Sequence, residues 1–457
     1  MNKQPQMSEE SELPCRVRGE TSPPPRSEEA ITARSETEGS GTSDLMERAL
    51  MRANMLAALK RVRRNKGSAG VDRMTIEKLP EFLKRYWPTI REQLLGGSYE
   101  PQPVRRKEIP KSNGGTRQLG IPTVLDRLIQ QAVLQVLQPV FEPTFSRYSY
   151  GFRPGRNAHQ AVQQAERYVR DGKHYVVDLD LEKFFDHVDH DILMGKLAKR
   201  IADKRVLLLI RKYLRAGVLE GETVLRREEG TPQGGPLSPL LANVMLNELD
   251  HSLEAKGLAF VRYADDCNIY VANPRVGQRV LKQMRKAFEK LKLKVNEAKT
   301  AVARVEERKL LGYRFYVGKY GIGTSIAKSS RERFEAEVRR RTRRSHSKTI
   351  EKTIADLAPL VRGWGNYFRL APQKRLQELD RWIQRRLRAL TLKRWGNGAR
   401  TARMLQHLGV RARQVYFEFS KPKLYGRHWH ASGTKVVKLA LKTEYFTTRG
   451  LPLMAAP

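Results

Sequence analysis

Apolar residues recur along this chain with two periods. From Leu45 the stretch LMERALMRANMLAALKRVRRN places them at helical spacing, and Asp44 stands where a helix N-cap belongs. Between 45 and 325 helical stretches alternate with short β-rich runs: HYVVDLD at 174–180, LAFVRYADDCNIYVA at 258–272 and LLGYRFYVG at 310–318. That mixture predicts an α+β domain. Beyond 326 the strands give way to basic helices, and around 396–400 the glycines and asparagine of WGNGAR stop the preceding helix. Residues 1–44 are rich in Ser, Glu, Thr and Pro, lack periodicity and read as a disordered tail, because they cannot offset the entropy of ordering. The chain thus divides into 1–44, 45–325, 326–398 and 399–457, with no repeat of solenoid type.

Charge changes the picture first. Lys and Arg number 87 against 49 Asp and Glu, a net +38 on 457 residues, which attracts polyanions and makes nucleic acid the leading partner class. Residues 331–457 hold 30 Lys and Arg against 9 Asp and Glu, so the helical C-terminal part is expected to bind nucleic acid. The only cysteines, Cys15 and Cys267, are far apart, which excludes a disulfide framework or a cysteine-rich zinc site and fits a reducing cytosol. No run approaches the roughly 20 apolar residues of a membrane span, and Glu9, Glu10 and Glu12 stand where a signal peptide would be apolar. A soluble, cytoplasmic protein is expected.

The candidate chemistry sits in two β-rich runs. In FVRYADDCNIYV two adjacent carboxylates interrupt a strand pattern, as in a hairpin with Asp265 and Asp266 at its turn; alone, such a pair is an ordinary turn former. In YVVDLDLEKFFDHVD a second strand ends in Asp178 and Asp180, and alternation points Val177, Leu179 and Leu181 to one face and the carboxylates to the other. Carboxylates from two strands brought together repel unless a cation lies between them. Mg²⁺ prefers a few carboxylate oxygens plus water and phosphate, and two such ions form the clamp of phosphoryl transfer. KEIPKSNGGTRQLGIP sets Lys107, Lys111 and Arg117 around a glycine turn able to fold over a triphosphate, and GTPQGGPLSPLLANVMLNELD joins a turn bearing Gln233 to a helix starting near Ser238.

In order, these segments resemble the sequence blocks of the reverse transcriptase, or maturase, encoded by group II introns. The blocks are RNKGSAGVDRMTIEKL (64–79), KSNGGTRQLGIPTVLDRLIQQAV (111–133), YSYGFRPGRNAHQAV (148–162), DLEKFFDHVDH (180–190), GTPQGGPLSPLLANVMLNELD (230–250), RYADD (262–266), LKLKVNEAKT (291–300), LLGYRF (310–315) and PLVRGWGNYFR (359–369). The resemblance implies a right-hand polymerase: fingers and palm over 45–325, and a helical basic thumb or maturase domain over 326–398. It implies two Mg²⁺ ions on Asp180, Asp265, Asp266 and the carbonyl of Leu181, with Asp178 outside the triad. Phe185 matches the aromatic that blocks a ribose 2′-hydroxyl, Gln233 the residue beside the incoming nucleotide, and Lys111 and Arg117 the holders of its triphosphate. Lys299 matches a basic residue near the site. Phe184 is the expected core member of the Phe pair.

Partners implied are group II intron RNA, an RNA template with DNA primer, target DNA and dNTPs. Arg381, Arg385 and Arg388 are candidates to line nucleic acid, because LDRWIQRRLRALTLKRW carries an apolar stripe with arginines between, and so are Arg362 and Arg369 of the thumb-like PLVRGWGNYFR. No cysteine follows Cys267, so an HNH endonuclease is not expected; the basic segment 399–457 is read as a short DNA-binding extension, and retrohoming would then need a primer from elsewhere, such as a nascent strand. A non-enzymatic splicing cofactor shares the fold, but carboxylate clusters are costly to keep without metal. A polymerase recruited to host repair or defence would differ in the DNA around its gene, which would lack a ribozyme.

Overall fold

The computed structural model describes residues 42–110, 116–220, 223–225, 228–318, 321–345, 348–419 and 427–455. Almost all of the expected N-terminal tail lies outside them, as does Lys111. The predicted first helix forms in two pieces, Leu45–Leu50 and Arg52–Asn65, broken at Met51, whose ψ of 137° is extended. Asp44 makes no side-chain cap; its carboxylate instead lies 3.9 Å from Arg48.

Strands β1 (Val104–Pro110) and β2 (Thr116–Ile121) make an antiparallel hairpin, extended through β1 by β4 (Val218–Glu220) and β5 (Thr223–Leu225). The central sheet runs β6-β7-β3-β8, from β3 (Tyr175–Leu179), β6 (Ala259–Tyr263), β7 (Asp266–Val271) and β8 (Ala301–Arg304), every neighbour antiparallel. A third sheet holds β9 (Lys309–Leu310), β10 (Tyr313–Gly318) and β11 (Gly321–Ile326), and the basic helices begin at Lys328.

The central sheet is buried on both faces, each by its own core. Val177, Leu179, Phe260, Cys267 and Ile269 enter one core with the helices Val124–Phe141, Ser238–Ala255 and Pro274–Lys290. We term this the inner face. The alternate residues Val176, Val261 and Tyr270 enter a second core with the Ala158–Arg170 helix, Tyr313 and Phe315 of β10, and the C-terminal helices. Toward the turn between β6 and β7 this second face changes character: apolar residues give way to Asp178, Asn268 and Asp266, and a cleft opens.

Three helices, Lys328–Arg341, Ile350–Tyr367 and Gln373–Arg394, follow. Leu376, Leu379, Ile383, Leu387 and Leu390 form the expected apolar stripe on the last of them. The basic segment beyond 399 packs back on these helices. Gly396 and Asn397 do interrupt the helix, with the Asn397 side chain accepting a bond from Arg400 N at 2.8 Å. Yet Val437, Leu441, Phe446, Leu451 and Met454 return into the same core. The backbone amides of Met454 and Ala455 donate to the Asp380 carboxylate at 3.1 Å. Among the described residues no helix is long and apolar enough to cross a membrane.

Candidate active site

The hairpin turn is tighter than the sequence suggested. Tyr263 pairs with Asp266, so only Ala264 and Asp265 lie in the turn, and Asp266 is the first residue of β7. Ala264 has φ of 60°, a left-handed conformation that costs a residue with a Cβ about 1 kcal/mol or more and persists only where the surroundings dictate it.

Asp178 and Asp180 lie toward the C-terminal end of β3, beside this turn, through the register Asp178↔Asn268 and Leu179↔Cys267. Asp178, Asp180 and Asp266 line one cleft of about 1040 Å³ of mixed charge, with Lys299, Arg308, Lys309, Arg314 and Lys328 facing Glu306, Glu307 and Glu332. Loss of water around its carboxyl, then the negative charges of Asp265, Asp180 and Asp178, push Asp266 up to about 7. Asp266 itself opens onto the cleft, so we weigh the crowding of carboxylates above the loss of water.

Asp180 has a cationic neighbour. The 291–300 segment bonds back along the chain after β3: Asn296 N donates to Asp180 O at 2.8 Å, Asp180 N to Thr300 Oγ1 at 3.2 Å, and Leu181 bridges Val295. That return places Lys299 Nζ 2.7 Å from Asp180 Oδ2. Asp178 is held apart from this pair. It accepts from Asn268 Nδ2 at 3.0 Å and lies 3.1 Å from Arg308 Nε, while burial raises its pKa against the pull of Arg308.

Charge and geometry say different things about a metal here. Four carboxylates share a small region and one is driven toward protonation, which a cation would relieve. Yet among the described residues no three or more acidic, His or Cys side chains converge tightly enough to form a ready coordination shell. The donor set fits Mg²⁺ in chemistry.

The other candidates meet at one crossing. Thr231 N donates to Phe185 O at 2.6 Å, and Gly230, with φ of 86°, lies so close to the Phe184–Asp186 turn that a Cβ would sit 2.7 Å from Asp186 O. Gly120 N of β2 donates to Gln233 O at 2.9 Å, so the loop bearing Gln233 joins the first hairpin to the Phe185 turn. Phe184 and Phe185 are both buried, not Phe184 alone. Arg117 lies on β2 opposite Ile109.

Of the arginines expected on nucleic acid, Arg362, Arg369, Arg381 and Arg385 are exposed. Arg388 is not. It is 5% exposed, and its guanidinium donates to Ser432 O at 3.1 Å and Leu441 O at 3.3 Å, fastening the returning C-terminal segment. Two adjoining basic hollows of about 900 and 810 Å³ share Trp382 and Arg385. The guanidiniums of Arg339 and Arg386 lie 5.4 and 5.5 Å from the Trp382 ring centre.

Sequence reasoning passed over Arg262, Asp250, Asn243 and Gly151, which lie behind the turn. Arg262 was on view: two positions from buried Phe260 on the same strand, it had to face inward too.

An antiparallel sheet that presents strand-end carboxylates in a cleft, with a two-stranded hairpin tied in through the Gln233 loop, defines a right-hand nucleic acid polymerase. Residues 109–315 match the reverse transcriptase (RNA-dependent DNA polymerase) family model, and residues 331–409 match the maturase-specific domain of group II introns. Protein YkfC of Escherichia coli K12 is 32% identical over 315 residues, 59% of this chain and 82% of that one. The group II intron-encoded protein LtrA of Lactococcus lactis subsp. cremoris is 46% identical over 162 residues, 35% of this chain and 27% of LtrA. A Cas6-RT-Cas1–Cas2 complex aligns over 54% of this chain and 42% of that one at 23% identity, with a TM-score of 0.35. The chain belongs to the group II intron reverse transcriptase and maturase family, and spans about a quarter of LtrA.

Proposed function

We infer that this protein copies RNA into DNA from dNTPs on a primer, and that it binds group II intron RNA to assist splicing before copying it during retrohoming into target DNA. The observation that carries the polymerase reading is the gathering of Asp180, Asp265 and Asp266 at the end of β3 and the β6–β7 turn, where loss of water and the neighbouring carboxylates raise Asp266 to about 7. These carboxylates, with the Leu181 carbonyl, would hold two Mg²⁺. Such ions lower the pKa of the primer 3′-hydroxyl and neutralise the charge growing on pyrophosphate.

The chain's own residues do the positioning. Gln233 sits where hairpin and central sheet meet, against the incoming nucleotide. Phe185, closed in by Thr231, forms the wall that refuses a ribose 2′-hydroxyl. Binding of the triphosphate falls to Lys111 and to Arg117 of β2. Lys299, 2.7 Å from Asp180 Oδ2, holds that carboxylate in place. Residues 45–325 serve as fingers and palm, and the helices from 328 serve as a thumb whose exposed Arg362, Arg369, Arg381 and Arg385 lie along nucleic acid.

The test is extension of a DNA primer on an RNA template with dNTPs and Mg²⁺, comparing the wild type with an Asp265→Ala, Asp266→Ala double variant. Extension by the wild type and a loss on the order of 10³-fold or more in the variant, with equal RNA affinity, is expected. A folded wild type that binds RNA and never extends would make the protein a non-enzymatic splicing cofactor.

A further inference from the structure

Directly behind the catalytic turn, on the inner face of the sheet, lies a charged side chain with no exposure. Arg262 is 0% exposed, as are Asp250 and Asn243 from the Ser238–Ala255 helix. The latter two stand seven residues apart, two turns of one helix face. Arg262 Nε donates to Asp250 Oδ1 at 2.8 Å, and Nη2 to Asp250 Oδ2 at 2.6 Å. Its Nη1 donates to Asn243 Oδ1 at 2.9 Å and to the carbonyl of Ala264 at 2.8 Å. One guanidinium therefore ties a helix to the backbone of the turn that carries Asp265 and Asp266.

The same turn is closed from the other side. The Tyr148–Gly151 segment runs along β6, with Arg262 N donating to Tyr148 O at 3.0 Å and Tyr150 N to Arg262 O at 2.9 Å. Asn243 Nδ2 donates to Gly151 O at 2.9 Å. Gly151 lies so close to the turn that a Cβ there would stand 2.3 Å from Ala264 N. The left-handed Ala264 is thus over-determined, with its carbonyl tied to Arg262 and its amide pressed by Gly151.

We propose that Arg262, held by Asp250 and Asn243, is a positioning residue for polymerisation: with Gly151 it fixes the Ala264 turn, and so the place of Asp265 and Asp266 relative to Asp180. The inference rests on the polymerase reading above and deepens it. A buried charge of this kind is a weak device for stability, since two apolar side chains would fill the space at less cost. Its geometry, a planar fork reaching three partners at once, suits the task of setting a backbone position.

Two variants test it in the full chain. Arg262→Lys keeps the charge opposite Asp250, but an ammonium cannot reproduce the fork to Asp250, Asn243 and Ala264. Gly151→Ala leaves the buried ion pair intact and presses on the turn. Primer extension is measured at saturating dNTP across a Mg²⁺ titration, beside primer–template affinity and thermal unfolding. Expected are a fall in kcat of about 10- to 100-fold and a higher Mg²⁺ midpoint in both, with primer–template affinity unchanged. If Arg262→Lys does not fold, Gly151→Ala decides alone. A folded Gly151→Ala protein with wild-type kcat and Mg²⁺ midpoint would overturn the proposal. So would a rate loss that follows a drop in melting temperature while the Mg²⁺ midpoint stays put, since that marks a merely structural role. A wild type that does not extend removes the polymerase reading itself; an active wild type with unaffected variants removes only this inference.

Discussion

On the inner face of the central sheet, Arg262 and Asp250 lie wholly out of water and answer each other in a bidentate pair. Four residues further along the chain, on the opposite face, Asp266 opens onto a cleft and is driven up to about 7 by loss of water and by Asp265, Asp180 and Asp178. The two sites share one hairpin and differ in what each charge is given. The buried pair is complete and has nothing further to bind, whereas in the cleft the crowded carboxylates raise Asp266 and leave it unmatched. A polymerase palm needs both, a fixed support and an unfinished electrostatic site upon it.

That comparison breaks most forcefully at Asp250. Asp250→Ala leaves the Arg262 guanidinium buried without its carboxylate, and urea unfolding should show a loss of about 3–5 kcal/mol. No such loss is expected at the cleft. Asp266→Asn should do the reverse when divalent cations are removed. Asp266 in the folded chain binds its proton more tightly than the ordinary 3.8 of an unfolded Asp, so its stabilising contribution is full below about pH 4 and is lost as pH rises through 7. The variant should therefore melt a few degrees above the wild type at pH 8, with the gap closing toward pH 4. A variant that melts lower at pH 8 would mean that Asp266 is not under repulsion.

The smallest effect sharpens the same contrast within one helix. Arg381 faces solvent, and Arg388 is spent on two carbonyls. Replacing Arg381 with Met should reduce the salt dependence of RNA binding by about one counterion. Arg388→Met should leave that slope alone and lower thermal stability. Equal slopes for wild type and Arg381→Met would remove Arg381 from the nucleic acid surface.

Much of this was legible beforehand because period-two alternation is strict. Val177, Leu179 and Leu181 are buried as that pattern demands, and Asp178 and Asp180 therefore reach the other face. Alternation could not bring Lys299 to Asp180, since that pairing depends on a return of the chain some 120 residues later; only the family resemblance placed Lys299 near the site. Arg388 was misread for a related reason. Asp380, Gln384 and Arg388 repeat every four residues and are all buried, a second stripe beside the leucines that looks exposed until residues 427–455 fold over it. The apolar residues of that returning segment are too thinly spread among polar ones to announce a core.

Cys267 follows Asp266 directly, points to the inner face and is 1% exposed, and burial pushes its thiol well above the usual range. A thiol so placed is inert while the hairpin is shut. Alkylating reagents can reach it only through opening of the strand that begins at Asp266, so the rate at which this one sulfur is labelled is a chemical clock for how often the hairpin comes apart, with no residue changed.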